Sequence, residues 1–232
     1  MSKEKFYKKI GEDKGRGSEA RIDKKDEVGR GLFGVSSSVD VYVGDLPTPG
    51  EFVVKEFHVK EDATRALEKY NYAKEAGLKV FNTYRINERG DTILMTTGLS
   101  KEKICLGLND WYDSKLKKES ISNLEDFAKS YFEQAMIAVD SEIYLYADIP
   151  FFLVDKKSPD VSLDFVLGDL DRMSKWRGIL DPISKQKMYE ANLEQLHTAL
   201  NHFIKNNIKD PKHYLSSIKH YVDDLIYKSQ HK

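Results

Sequence analysis

A chain of 232 residues has room for one large domain or two lobes, and its single cysteine, Cys105, excludes an internal disulfide framework. Lysine and arginine number 37 against 38 aspartates and glutamates, a formal net charge of -1, so no whole-chain field draws in nucleic acid or an anionic membrane. The N-terminus is charged where a leader needs an apolar run, and no segment approaches the ~18 apolar residues of a membrane span. With no Cys/His cluster at metal-ligand spacing, Cys105 reads as a packing residue, and the expectation is a cytoplasmic protein.

In chain order, residues 1–27 are rich in charge and glycine and poor in large apolar groups, which predicts a flexible charged arm or a short helix followed by a tether. From Val28 the character changes. The stretch VGRGLFGVSSSVDVYV sets Gly29, Gly31 and Gly34 between β-branched and aromatic residues, the pattern of a hairpin whose turn is almost all backbone. The alternation Val39, Val41, Val43 leads through Gly44-Asp45 and Pro47-Thr48-Pro49-Gly50 to a third strand over 51–58, EFVVKEFH. Ala63, Ala66, Leu67, Tyr70 and Ala73 then share one helical face over 61–76, with Gly77 where a C-terminal cap belongs. Strands over 79–87 and 91–97, turning at Glu88-Arg89-Gly90, continue the sheet as a hairpin.

The second half reads as mainly helical. Ser122 caps a predicted helix over 123–139 with Glu125 in the reciprocal position, and helices also fit 183–205 and 211–227, the last started by Asp210-Pro211. Between them, two short apolar strands, 151–154 and 165–168, flank the polar connection 155–164 and place Asp148 at the start of the hairpin and Asp169 and Asp171 at its end. His197, His202, His213 and His220 fall on helices without a paired carboxylate motif and read as solvated or capping residues.

The order glycine turn, Lys55 in a Val-Val-Lys strand, helix with glutamates, apolar strand into a hinge, then a helical lobe holding a hairpin that ends in Asp, resembles the protein-kinase-like fold over roughly 28–175. VGRGLFGV matches the glycine loop of that family, with Phe33 before the third glycine. The resemblance implies an α+β, two-lobed architecture: an antiparallel β-rich N-lobe with one helix over 28–97 and a reduced helical C-lobe over 98–232. It also implies ATP and Mg2+ as ligands and a small, divergent Ser/Thr-kinase-like activity.

Physical chemistry supports some of these roles on its own terms. Glycines at 29, 31 and 34 let backbone N–H groups approach phosphates without Cβ obstruction. Lys55, in mid-strand, needs a carboxylate or phosphate partner if it is buried; on an edge strand it faces solvent instead. The family likeness gives Lys55 the phosphates and a helix glutamate, for which Glu61, Glu68 and Glu75 are candidates with the central Glu68 favoured by spacing. It makes 92–98 the hinge, with Met95 and Thr97 at the adenine, and Asp169 the metal ligand, with Asp171 adding a second oxygen.

Two departures shape the functional expectation. Leu170-Asp171 stands where most protein kinases have Phe-Gly, a trait commoner among small-molecule kinases. The catalytic loop lies in YLYADIPFFLV, where ungapped alignment puts Tyr146 at the aspartate and Phe151 at the asparagine, and a two-residue shortening brings Asp148 to the aspartate instead. Asp148 is then the acid that orients or deprotonates an acceptor hydroxyl, or else the first residue of an Asp-x-Pro turn. The expected function is Mg-ATP-dependent phosphoryl transfer to a hydroxyl, on protein first and on a small molecule second. A pseudokinase, which binds a protein partner with or without nucleotide, is the alternative from another class.

Overall fold

A computed structural model describes residues 6–10, 18–30, 32–43, 46–47, 52–86, 90–96, 103–107, 116–155, 157–175 and 180–231. The chain divides into two compact units, Met1–Tyr72 with Phe81–Lys101, and Ala73–Val80 with Glu102–Lys232.

The first unit is built on strands β1 (Phe6–Ile10), β2 (Ser18–Arg30), β3 (Gly34–Val43), β4 (Leu46–Pro47), β5 (Phe52–Phe57), β6 (Asn82–Arg85) and β7 (Thr92–Thr96). They pair antiparallel in the order β1-β2-β3-β5-β7-β6, with β4 alongside β3. Alternation along β5 separates two cores. Val54 is buried on one face with Ile22, Val39, Val41, Ile86 and Leu94, while Phe57 is buried on the other with Ile93, Ala63 and Ala66. The two alanines belong to helix α1 (Lys60–Glu75), whose small side chains let it lie close on that face.

The segment expected to be a flexible arm is, in its described part, sheet: β1 and the first part of β2 run through it. Composition alone undercounts what backbone pairing supplies. The ladder from Phe6↔Ile22 to Ile10↔Ser18 satisfies the main chain of a charged sequence, and β2 continues against β3, where Ile22 is buried opposite Val41. Further along β2, Lys25 pairs across the strands with Asp40 at 2.7 Å.

Helix α1 ends as its glycine predicts. Gly77 has φ +89°, its N–H donates to the Lys74 carbonyl, and the Leu78 N–H donates to the Ala73 carbonyl, the paired bonds of a left-handed C-terminal cap. An added Cβ would meet nothing within 4 Å, so the demand for glycine is purely conformational. Gly77→Ala is therefore expected to lower stability by about 1 kcal/mol and Gly77→Asn by less, read by urea denaturation.

The second unit carries strands β8 (Lys103–Leu106), β9 (Ile143–Tyr144), β10 (Pro150–Asp155), β11 (Leu163–Leu167) and β12 (Ser174–Lys175). Helices α2 (Leu124–Asp140), α3 (Pro182–Asn207) and α4 (Pro211–Gln230) make up its helical part. The strands form a sheet β11-β10-β8 and a separate pair β12-β9. Its core is aromatic: Phe127 stacks on Tyr131 at 5.3 Å, Tyr131 meets Phe165 edge-on at 4.9 Å, and Phe152 lies 4.5 Å from Phe203. Each such pair adds about 0.5–1.5 kcal/mol beyond the area it buries.

Two local expectations are corrected here. Helix α2 is preceded by Asn123 rather than capped by Ser122. The Ser122 hydroxyl donates to the Val161 carbonyl, and the Asn123 amide bonds both backbone groups of Leu163, donating to its carbonyl and accepting from its N–H at 2.9 Å each, so both side chains serve the sheet instead of the helix end. The strand expected over 79–87 begins only at Asn82. Lys79 is held elsewhere: its N–H donates to Gln134 Oε1 at 2.8 Å, its carbonyl accepts from Leu167, and its ammonium bonds Asp164, which ties this segment to α2 and β11. Strands β8, β9 and β12 are too short for hydrophobic periodicity to reveal.

Candidate functional site

In the first unit, the glycine-rich turn joins β2 to β3. Gly29 pairs with Ser36 beside two register shifts, and Gly31 lies outside the described residues. Gly34 has a reason of its own to be glycine: it pairs with Phe57, and an added Cβ would stand 2.1 Å from the Glu56 carbonyl oxygen. Phe33 packs against the core of Phe57, Ala63, Ala66 and Ile93, and its carbonyl accepts from the His58 N–H at 3.0 Å. At the end of β2, Arg30 holds Glu27 through two hydrogen bonds of 3.0 and 2.8 Å, which depresses the proton affinity of the Glu27 carboxylate.

Lys55 sits in β5 between Ser36 on β3 and Ile93 on β7, and is half-buried in the interior of the sheet, not on an edge. Its ammonium lies 5.3 Å from the centre of the Phe57 ring, on the face that α1 covers. Met95, one strand over on β7, packs half-buried against the same core. Thr97 lies outside the described residues. Glu68 is not on that side. The stripe Ala63, Ala66, Tyr70, Ala73 turns inward, and Glu61, Glu68 and Glu75 are all exposed on the opposite face of α1, because positions two residues from a buried one are turned about 200° around the helix. The expected pairing of Lys55 with Glu68 is therefore corrected: the helix presents that carboxylate to solvent.

In the second unit, the chain runs from β9 through a loop, Leu145 to Ile149, into the hairpin β10-β11, and out through Gly168 and Asp169 to a 3-10 turn, Leu170–Arg172. Strand β12 then returns to pair with β9, Ser174 opposite Tyr144 and Lys175 opposite Ile143. The Gly168 N–H donates to the Ile149 carbonyl at 2.8 Å. That bond ties the residue after Asp148 to the residue before Asp169, so the two aspartates stand at neighbouring points of one backbone junction. Both are half-buried, as is Asp171 in the 3-10 turn. Asp169 is one of two described non-glycine residues at positive φ, with φ 48° and ψ 37°. Such a conformation persists only where the surroundings enforce it and concentrates at functional sites.

Phe151, in the place of the family's asparagine by ungapped alignment, is a packing residue. A Cβ at Gly107 would fall 2.5 Å from its ring, so the ring lies directly on the Gly107 backbone. Tyr146, the other alignment to the aspartate, is exposed and shares a hydrogen bond of 3.1 Å with Ser174.

Sequence reasoning overlooked the groups that hold this loop. Asn192 on α3 is fully buried; its Oδ1 accepts from the Leu145 N–H at 2.9 Å and its Nδ2 donates to the Ile143 carbonyl at 2.8 Å. One turn further along α3, Gln195 Oε1 accepts from the Ala147 N–H at 3.1 Å. A signal was present in Asn192, an amide inside the stripe Tyr189, Leu193, Leu196, Leu200 where an apolar side chain is the default. Among the helical histidines, His197 is half-buried rather than solvated, burial lowers its proton affinity, and Nε2 bonds the Asn201 amide at 3.0 Å.

Among the described residues, no group of three or more His, Cys, Asp or Glu side chains is assembled for a metal, and no helix is long and apolar enough to cross a membrane. The elements are those of an α+β chain and run in the order that the sequence resemblance implies: glycine-turn hairpin, central lysine strand, helix, strands, then a helical unit with an Asp-terminated hairpin. No family model matches the chain, and no curated protein matches it. Among solved structures it is similar to the Rio2 kinase of Chaetomium thermophilum, solved as an ADP/Mg2+-phosphoaspartate complex, at 11% identity over 90% of this chain and 71% of that chain, with a TM-score of 0.48. At that identity and TM-score the likeness transfers no residue role.

Proposed function

We propose that this chain is a Mg-ATP-dependent phosphotransferase that passes the γ-phosphoryl group to a hydroxyl, with protein as the first acceptor class. The observation that supports it most is the junction at which Asp148 and Asp169 are joined through the Gly168 N–H and Ile149 carbonyl. The two carboxylates have different work there. Asp169, at the end of β11, would hold Mg2+, which shields phosphate charge when bound, and Asp171 would offer a further oxygen. One or two carboxylates suit this ion, which keeps waters and takes the rest of its oxygens from phosphates. Asp148 would accept the proton of the attacking hydroxyl as its oxygen bonds to the γ-phosphorus and the bond to the β-phosphate breaks, releasing ADP. Lys55, whose ammonium lies over the Phe57 ring, would bind phosphate as a point charge.

A second reading is carried by Phe151. Where a second metal ligand is expected, a ring packs on Gly107, which favours a pseudokinase that binds nucleotide and a partner without transfer. Incubation with labelled ATP and Mg2+ or Mn2+ separates the two. Wild type is expected to transfer label and to melt at a higher temperature with Mg-ATP, while Lys55→Ala loses about 10²-fold or more of the transfer. Stabilisation by nucleotide with no transfer establishes the pseudokinase; neither effect removes the nucleotide reading.

A further inference from the structure

Within the loop Leu145 to Ile149, the Ile149 N–H donates to the Tyr146 carbonyl at 3.1 Å, while the Leu145 and Ala147 N–H groups bond outside the loop. Helix α3 receives them. Asn192 and Gln195, three residues apart and so on one helical face, take the Leu145 and Ala147 N–H groups and give one bond back to the Ile143 carbonyl. On the other side of Asp148, the Ile149 carbonyl is held by Gly168. Asp148 therefore lies between two fixed peptide groups, one anchored to α3 and one to the end of β11.

We infer that Gln195, together with Asn192, is a positioning residue for phosphoryl transfer: it holds the Ala147 peptide so that the Asp148 carboxylate meets the acceptor hydroxyl in one orientation. The inference rests on the reading of Asp148 as the acceptor-side acid. Gln195 touches neither nucleotide nor acceptor in this scheme and acts only through the loop backbone. Its loss frees the Ala147 N–H to turn toward water, and a shift of about 1 Å in a reacting group costs up to about 10²-fold in rate. Binding of ATP, which does not involve Asp148, is spared.

Gln195 is the position to test, because it is half-buried while Asn192 is fully buried and supports the fold. Gln195→Leu keeps the bulk and removes the acceptor oxygen; Gln195→Glu keeps an acceptor for the Ala147 N–H. In the full chain, Gln195→Leu is expected to speed amide exchange at Ala147 at least about tenfold and to lower kcat about tenfold, with KM for ATP within about twofold of wild type. Gln195→Glu is expected to return all three values to near wild type. The inference is overturned if Gln195→Leu exchanges Ala147 no faster than wild type, or exchanges it faster with kcat unchanged, or if Gln195→Glu restores Ala147 protection without restoring kcat. Wild type without any transfer defeats the phosphotransferase reading and the positioning role with it, and is told apart from a failed tether because the Ala147 exchange rates still separate the variants.

Discussion

Replacement of Asp169 is expected to lower Mg2+-dependent phosphoryl transfer by about 10³-fold or more whatever the substituent, while stability divides by side chain. The division follows from the backbone. At φ 48° and ψ 37° the residue is left-handed, a conformation that costs an ordinary L-residue about 1–2 kcal/mol and that glycine adopts freely. Aspartate and asparagine tolerate it better than alanine does, so Asp169→Asn should fold like wild type, Asp169→Ala should lose about 1 kcal/mol, and Asp169→Gly should be at least as stable as wild type. Urea denaturation beside transfer from labelled ATP reads both effects on one set of proteins. An Asp169→Gly protein that retains transfer would dispose of the metal role, and one markedly less stable than wild type would dispose of the conformational argument.

The second large effect is expected at Asn192. Asn192→Leu keeps the number and branching of side-chain heavy atoms but leaves the Leu145 N–H and the Ile143 carbonyl without the amide that now serves both, deep in the second unit. An unsatisfied buried polar group costs about 1–3 kcal/mol, so the pair amounts to about 3 kcal/mol once relaxation is allowed for. The alternative cause of such a loss, a cavity, is avoided by the choice of leucine. A denaturation midpoint close to wild type would mean that water or a shifted loop satisfies both groups, and the α3 anchor would then be unnecessary to the fold.

Much of the fold was legible from local chemistry. Helices α1, α3 and α4 follow from apolar residues at helical spacing, the end of α1 from Gly77 and the start of α4 from Asp210-Pro211; at the start of α3 the Asp181 carboxylate accepts from the Ser184 N–H at 2.8 Å. The hairpin β10-β11 follows from two apolar runs around a polar connection. The parts that escaped notice are those whose partners are distant in sequence. Nothing near residues 6–10 or 18–27 marks them as strands, since their hydrogen bonds belong to each other and to β3. Nothing near Ser122 and Asn123 shows that both side chains bond residues about 40 positions away on the way into β11.

The candidate site divides along the same line. Residue types and their order were enough to nominate Lys55, Asp148 and Asp169, because a lysine inside an apolar strand and aspartates at the mouth of an apolar hairpin are costly placements that chemistry can explain. Orientation was beyond the sequence. Seven-residue spacing put Glu61, Glu68 and Glu75 on one face of α1 correctly but could not say which face the sheet would cover, and the burial of Ala63, Ala66 and Tyr70 decided it against all three. Likewise the glycine turn supplied Gly34 for a close approach that proves to be to the Glu56 carbonyl, since only the pairing of β3 with β5 brings that oxygen to it. Local sequence determined which elements form and which residues carry charge, because helix and turn preferences act over a few residues. Tertiary packing decided which of those residues face inward and what holds the Asp148 loop, because the backbone groups of Leu145 and Ala147 find their acceptors on a helix nearly 50 residues away.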